Sequence, residues 1–467
     1  LNLAKKNITI SYEDDLLNEI WEDRPALSDA KAFLLDIKYS GEDFTSKIAR
    51  VREWMRENNT TTHILTSLDD IAWLFNIRGG DIKYNPVVLS YAVITLDKAI
   101  LFVDENKLND EIKTSFGEEV VEIKNYFEIY EFVKTINKEE IVLIDSNKIS
   151  YSILKNIPAG VKVVNGMNPS TKFKAQKNSV EIENTKKAHI RDGVAVTKFM
   201  YWLKNNIGKI EITELSAADK ITELRREQGK FIEESFGTIA GYASNGAIIH
   251  YSVTKESNTT LKDRGLFLLD SGGQYFDGTT DITRTFALGD LTKEEKYHFT
   301  TVARAMIRLS DVKFLHGVNG YYLDILARGI LWNEGLNYNH GTGHGVGHVL
   351  NVHEGPNGFR LDNKESAILE EGMITTNEPG FYKAGSHGIR LENEMLCVKG
   401  EKNEFGQFME FEPITIAPID LDAINVELMK EDEKAYLNEY HKMVFDTVSP
   451  FLTTEETNWL KEYTRAI

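Results

Sequence analysis

LLDSGGQYFDGTTDITRT, residues 268–285, is the stretch from which the fold of this chain is best read. Asp270 closes the apolar run GLFLLD, and Asp281 opens the next β-like run eleven residues later. The loop between them is rich in Gly and Thr, residues suited to tight turns. A hairpin of this length brings both carboxylates to one end of a sheet. Side chains alternate along a strand, so Asp281, Thr283 and Thr285 share a face. Asp277, inside the loop, is a weaker candidate.

Two further segments carry the same kind of chemistry. NHGTGHGVGHVLNVHEGP (339–356) holds His340, His344, His348 and His353 in a glycine-rich backbone that is not a plain helix. His340 and His344 are four apart, the spacing of a helical zinc pair, but Gly-Thr-Gly lies between them and no Glu accompanies them, which argues against a structural zinc site. ITTNEPGFYKAGSHGIRLENEML (374–396) reads as a hairpin that sets Glu378 beside Pro379-Gly380 and places Arg390 and Glu392 on one face.

Taken singly, each segment has a plain explanation, since acids near turns are usually solvated. Together they form four carboxylates and a histidine cluster at strand ends. Oxygen donors with an imidazole suit Mn²⁺, Fe²⁺, Co²⁺ or Zn²⁺. Four buried carboxylates without cations are prohibitively costly. One divalent ion leaves two negative charges over, whereas two ions neutralise all four. Such a pair, about 3.5–4 Å apart, activates water and clamps both oxygens of a tetrahedral intermediate, which is the chemistry of hydrolysis.

The rest of the chain frames these segments. Its 467 residues exceed one ordinary core. From about 40 to 177 helical and strand signals alternate, predicting an α/β domain with a mixed sheet. Helices are expected at 41–59, LDDIAWLF and EIYEFVKTI, and strands at THILTS, YAVITL, AILFVD, VVEI, IVLID and VKVV. Asn178 and Glu181 make a capping box that opens a long helix. Helices at 213–228, 291–310 and 320–334 and strands at 265–270, 281–287, 372–382 and 388–398 predict an α+β catalytic domain over 178–467. Residues 1–39 read as a linker or the tail of a missing N-terminal domain.

A net charge of −18 argues against a nucleic-acid binder. No run approaches 18 apolar residues, so no membrane span is expected. The single cysteine, Cys397, fits a reducing compartment, and its apolar neighbours mark it as core. With no apolar leader in the first twenty residues, a cytoplasmic location is expected.

The three segments resemble the pita-bread metallopeptidases, most closely the cytosolic type of X-prolyl aminopeptidase (aminopeptidase P). LDDIAWLFNIRGGDIKYNPV (68–87) is also similar to that family's second domain. The resemblance implies five metal ligands, Asp270, Asp281, His344, Glu378 and Glu392, holding two divalent ions, Mn²⁺ first and Co²⁺ or Zn²⁺ as alternatives. Asp281 and Glu392 bridge the pair. It implies substrate-facing roles for His250, His340 and His353, with Tyr382 and Arg390 beside the glutamates. The implied reaction removes an N-terminal residue from peptides with penultimate proline through a metal-bridging hydroxide, with Glu378 moving the proton and His353 steadying the oxyanion. A homodimer is implied as well. His348 receives no role and is expected as a partly exposed loop histidine.

A prolidase uses the same ligands but cleaves only dipeptides. A methionine aminopeptidase leaves the α/β domain surplus. A creatinase-like hydrolase, or a metal-free peptide-binding module on this fold, lacks ligands that are all present here.

Overall fold

The computed structural model describes Lys6 and residues 16–467, apart from Glu118, Asn363 and Glu365. Of the segment 1–39 read as a linker or tail, most of the first fifteen residues therefore lie outside the described residues.

The N-terminal unit is built on a mixed six-stranded sheet. Its spatial order is Glu122–Lys124, Ala99–Val103, Ser90–Thr95, Thr62–Leu65, Ile141–Ile144 and Lys162–Asn165. Thr62–Leu65 and Ala99–Val103 run antiparallel to Ser90–Thr95, and the outer pairings are parallel. The helix Phe44–Glu57 covers one face. Its spacing buries Ile48, Val51 and Met55 against Leu65, Trp73 and Leu101. Asp43 caps it, accepting from Ser46 N at 2.9 Å.

Two expectations for this unit need correction. Ala32–Leu34, assigned above to the leading segment, is a strand paired antiparallel to Ile77–Gly79. Ala32 and Leu35 are buried, so the folded unit begins before residue 40. Three residues are too few for an alternating pattern to register. The single helix expected at EIYEFVKTI is instead a short α-turn, Ile129–Phe132, between two 3₁₀ turns.

The C-terminal unit opens with the helix Ser179–Asn206. Asn178 Oδ1 accepts from Val180 N and Glu181 N, and the Glu181 carboxylate accepts from Asn178 N, all at 3.0 Å. This is the expected reciprocal cap. Phe199 of this helix packs with Phe267 and Phe286 from Leu266–Ser271 and Ile282–Ala287. Those two strands pair antiparallel, with Asp270 opposite Thr283. Their connection also forms a small sheet, in which Gly273–Tyr275 lies between Gly278–Thr279 and Phe231–Glu234.

A second six-stranded sheet holds Gly343–Gly345, Glu354–Phe359, Ile374–Asn377 and the long pair Asn393–Asn403 and Gly406–Pro413. Lys293–Ser310 and Gly320–Asn333 pack against each other outside it. Cys397 is buried in this sheet, and burial pushes its thiol up to about 12.

The hairpin expected over 372–398 is broken in both arms. Ile374–Asn377 pairs with Asn393–Leu396, while Gly380–Lys383 pairs with His387–Arg390 as a separate ribbon. Pro379 has no N–H to continue the ladder. At the break, Glu378 N donates to Thr342 O at 2.8 Å and Glu392 N to Thr283 O at 3.1 Å. The two glutamates therefore stand where separate sheets meet.

Candidate metal centre

Nine of the residues singled out in the sequence line one cavity of about 500 Å³, the five expected metal ligands among them. Asp270, Asp281 and Glu392 offer oxygens within 4.8 Å of one another, and so do the donors of His344, Glu378 and Glu392. Glu392 belongs to both groups. A third triad, Asp281, His344 and His353, overlaps them.

Local chemistry fixes how each donor points. His344 Nδ1 lies 2.9 Å from the Gly345 carbonyl. A carbonyl only accepts, so Nδ1 carries a proton and the ring turns Nε2 into the cavity. That nitrogen lies 3.5 Å from both Asp281 Oδ2 and Glu378 Oε1. An imidazole nitrogen aimed between two carboxylates is a donor arrangement that a divalent cation can use.

Asp281 is anchored through its N–H to Glu394 Oε1 at 2.7 Å. Thr283, which alternation places on one face with Asp281, donates through Oγ1 to Glu392 Oε2 at 2.8 Å. Asp270 Oδ1, Asp281 Oδ1 and Glu392 Oε1 are buried and have no hydrogen-bond partner within the protein. Buried carboxylate oxygens are ordinarily satisfied, and these three share one small space. The donor set fits a pair of divalent cations.

The electrostatics agree. Burial, then the neighbouring carboxylates, holds the Asp281 and Glu392 carboxyls well above the ordinary range. Glu378 is raised by burial and partly relieved by His344 and Arg390. A centre that resists so much negative charge is one that cations stabilise.

A hydrogen-bond relay lines the next layer. Burial, with help from Arg390, pushes His340 down to about 3, so its ring is neutral. His340 Nδ1 donates to the Gly341 carbonyl at 2.7 Å, which leaves Nε2 to accept from Tyr382 Oη at 2.9 Å. Tyr382 in turn accepts from Arg390 Nη1 at 2.7 Å, and Arg390 Nη2 donates to Asp270 Oδ2 at 2.6 Å. Burial raises Tyr382 to about 12, so it keeps its proton.

His353 sets its ring edge-on to His344, with centroids 4.2 Å apart. Burial and the His344 ring push it down to about 4, although one side stays open to the cavity. His250 stands exposed on the cavity wall.

Close packing explains the glycines around His344. A Cβ on Gly343 would sit 1.8 Å from Thr376 O, so only glycine lets these strands approach. His348 is not the partly exposed residue expected. It is buried, with Nδ1 3.0 Å from Thr185 Oγ1 and Nε2 3.0 Å from Tyr39 O. Burial, then Arg78 and Lys177, pushes it down to about 3. Asp277 is buried away from the donors and pairs with Arg191 and Lys230. The sequence reading missed Phe236, Ile239 and Ile249, which give the cavity an apolar wall, and Arg360 at its edge. No local pattern marks these four, because their convergence is purely tertiary.

Comparison with known proteins places this geometry in a family. Residues 23–181 match the Creatinase/Prolidase N-terminal domain, 183–399 the metallopeptidase family M24, and 407–467 the C-terminal region of that peptidase. The expectation of an absent N-terminal domain is thus corrected, since a domain of that description is present. A probable Xaa-Pro aminopeptidase P of Leptosphaeria maculans is 38% identical over 97% of this chain and 78% of its own length. Its counterpart in Coprinopsis cinerea is 40% identical over 100% and 78%. The crystal structure of an X-prolyl aminopeptidase from Caenorhabditis elegans, described as a cytosolic enzyme with a di-nuclear active site, superposes with a TM-score of 0.93. That match has 34% identity and covers 97% of this chain and 76% of that one. An Xaa-Pro dipeptidase from Bacillus anthracis, at 22% identity and a TM-score of 0.65 over 81% and 99% of the two chains, shares the fold. With its donors at the junction of the sheets and these relatives along its whole length, the chain belongs to the Xaa-Pro aminopeptidase P family of M24 metallopeptidases.

Proposed function

We propose that this protein is a two-metal aminopeptidase that hydrolyses the bond between an N-terminal residue and a penultimate proline. The observation that carries the reading is the three unpartnered carboxylate oxygens of Asp270, Asp281 and Glu392 gathered beside His344 Nε2. Asp270, Asp281, His344, Glu378 and Glu392 would hold the cations, with Asp281 and Glu392 shared. The bound pair would polarise the scissile carbonyl and supply activated water. Mn²⁺ is the proposed ion, and the oxygen-rich donor set suits it.

The chain's own residues do the rest. Glu378, with its raised carboxyl, accepts the proton of the nucleophile and passes it to the leaving imino nitrogen. His353, neutral at working pH, offers a ring N–H to the developing oxyanion. Arg390 and Tyr382 hold Asp270 and His340 in register, and His250 and His340 line the space for the substrate.

The same proposal places the protein in the cytosol as a homodimer. The relative described as cytosolic supports the first part. Among the described residues, no helix is long and apolar enough to cross a membrane. Tyr322, Ile325 and Trp332, exposed on the helix Gly320–Asn333, offer an apolar face for the second, which sedimentation equilibrium tests.

The test of function is a peptide panel with added Mn²⁺, Co²⁺ or Zn²⁺. Release of Arg from Arg-Pro-Pro, fastest with Mn²⁺, is expected. Rapid turnover of X-Pro dipeptides with no tripeptide cleavage would make the protein a prolidase instead. Near-zero bound metal and no activity would leave a binding module.

A further inference from the structure

The loop that carries His353 is held largely by the other unit of the chain. It leaves the strand Gly343–Gly345 just after His344 and returns at Glu354–Phe359 just after His353. At its tip, Leu350 is 1% exposed and packs into the hydrophobic core of the α/β unit, the core that contains Trp73 and Leu65. Beside it Val349 adopts φ +53°, a left-handed backbone that a β-branched residue takes only when its surroundings impose it.

Arg78 imposes it. This side chain, 2% exposed, follows the helix Leu68–Phe75 in the α/β unit. Its Nε donates to Val349 O at 2.5 Å and its Nη2 to His348 O at 3.1 Å. Its Nη1 is tied to its own unit through Ala72 O at 2.8 Å and Ile77 O at 3.1 Å. Neighbouring contacts complete the grip. Asp69 Oδ1 accepts from Asn351 N at 3.1 Å, and Tyr39 O engages His348. Glu354, the residue after His353, pairs with Lys174 at 2.9 Å and Lys177 at 2.7 Å. From the catalytic side, Gln274 Nε2 donates to Leu350 O at 2.7 Å. His353 itself donates its N–H to Asn351 Oδ1 at 3.2 Å, within the same clamped turn.

We propose that Arg78 is a positioning residue for the reaction: reaching across from the α/β unit, it fixes the 346–353 loop and thereby sets His353 against the substrate carbonyl. The five metal-ligand positions lie on other segments or precede the loop, so Arg78 acts on His353 and not on metal loading. A five-donor guanidinium suits this task, because it bonds two carbonyls of the loop and two of its own unit at once. The inference rests on the reading of His353 as a substrate-facing group.

The test is a double-mutant cycle in steady-state kinetics on a tripeptide with penultimate proline, using the full chain loaded with Mn²⁺. Arg78→Met is expected to lower kcat about tenfold or more, with KM within about twofold and metal content unchanged. Arg78→Lys, which keeps the charge and part of the bonding, recovers some of that loss. Leu350→Ala loosens the same loop from its apolar anchor and serves where the methionine variant does not fold. In a His353→Ala background each change should cost less than about twofold, because the group it positions is already gone. Unchanged kcat in Arg78→Met and Leu350→Ala, or an equal loss with and without His353, overturns the proposal. If His353→Ala alone leaves kcat intact, the reading of His353 fails first, and the two failures are told apart by that single variant.

Discussion

Arg390 Nη2 lies 2.6 Å from Asp270 Oδ2, an ion pair with side chains 2% and 10% exposed, built between a strand end and a ribbon of separate sheets. It couples one metal-ligand position to the relay through Tyr382 and His340. Removing one partner of a buried pair strands the other's charge, at about 3–5 kcal/mol. Arg390→Met should therefore destabilise the metal-free protein by about that amount. Added Mn²⁺ should restore much of the loss, because a cation then takes the place of the guanidinium beside Asp270. Denaturant melts with chelator and with Mn²⁺ read this directly. An equal loss in both conditions would refute the account.

Asp281 and Glu392 are the two carboxylates proposed to be shared between the cations. Asp281→Asn and Glu392→Gln should each lower bound metal, measured by mass spectrometry, and reduce turnover by orders of magnitude. Circular dichroism should remain that of the parent, since both substitutions relieve like-charge crowding among buried carboxylates. Full activity in either variant would remove the shared-ligand assignment.

His348 makes stability depend on pH. Its folded value of about 3 lies below the ordinary 6.5, so the fold holds the ring neutral while the unfolded chain takes up a proton first. The contribution is complete above about pH 6.5 and drains away as pH falls toward 3, at about 1.4 kcal/mol per pH unit. At pH 5 the loss from this residue is about 2 kcal/mol. His348→Gln should flatten the slope of unfolding free energy against pH by that one-proton share. An unaltered slope in urea melts between pH 7 and 5 would show the ring to be accessible to protons in the fold.

Gly343 tests the close approach of the strands behind His344. A Cβ there would meet Thr376 O at 1.8 Å. Gly343→Ala should cost about 1–3 kcal/mol of stability from overpacking, and should weaken metal affinity because His344 is the next residue. Isothermal titration with Mn²⁺ checks the second effect. Parent affinity with lowered stability would mean that His344 tolerates displacement of its strand.

The legible part of this site was its chemistry. Asp270 and Asp281 could be placed at one sheet end because hairpin length and alternation are local properties, and Thr283 shared their face by the same rule. Glu378 and Glu392 were found, but the expected unbroken hairpin was not, because the break depends on Thr342 and Thr283 lying near enough to accept from the glutamate N–H groups. Charge counting on the acids alone overlooked the Arg390 guanidinium on Asp270. The cavity wall of Phe236, Ile239 and Ile249 left no trace in local pattern. His348 read as a surface residue because its partners, Thr185 and Tyr39, are remote in sequence. Periodicity reports what a segment does to itself, and these contacts are made between segments.

The meeting of sheets at the broken hairpin also has a consequence for how the protein comes to life on the ribosome. Its acids emerge over a span from Asp270 to Glu392, and the last ligand position depends on a strand whose partner, Gly406–Pro413, is made later still. A half-made chain holds no complete cage for ions, and it also lacks Leu350, which belongs to the core of the first unit. The complete set of donors therefore exists only in a chain whose synthesis is nearly finished.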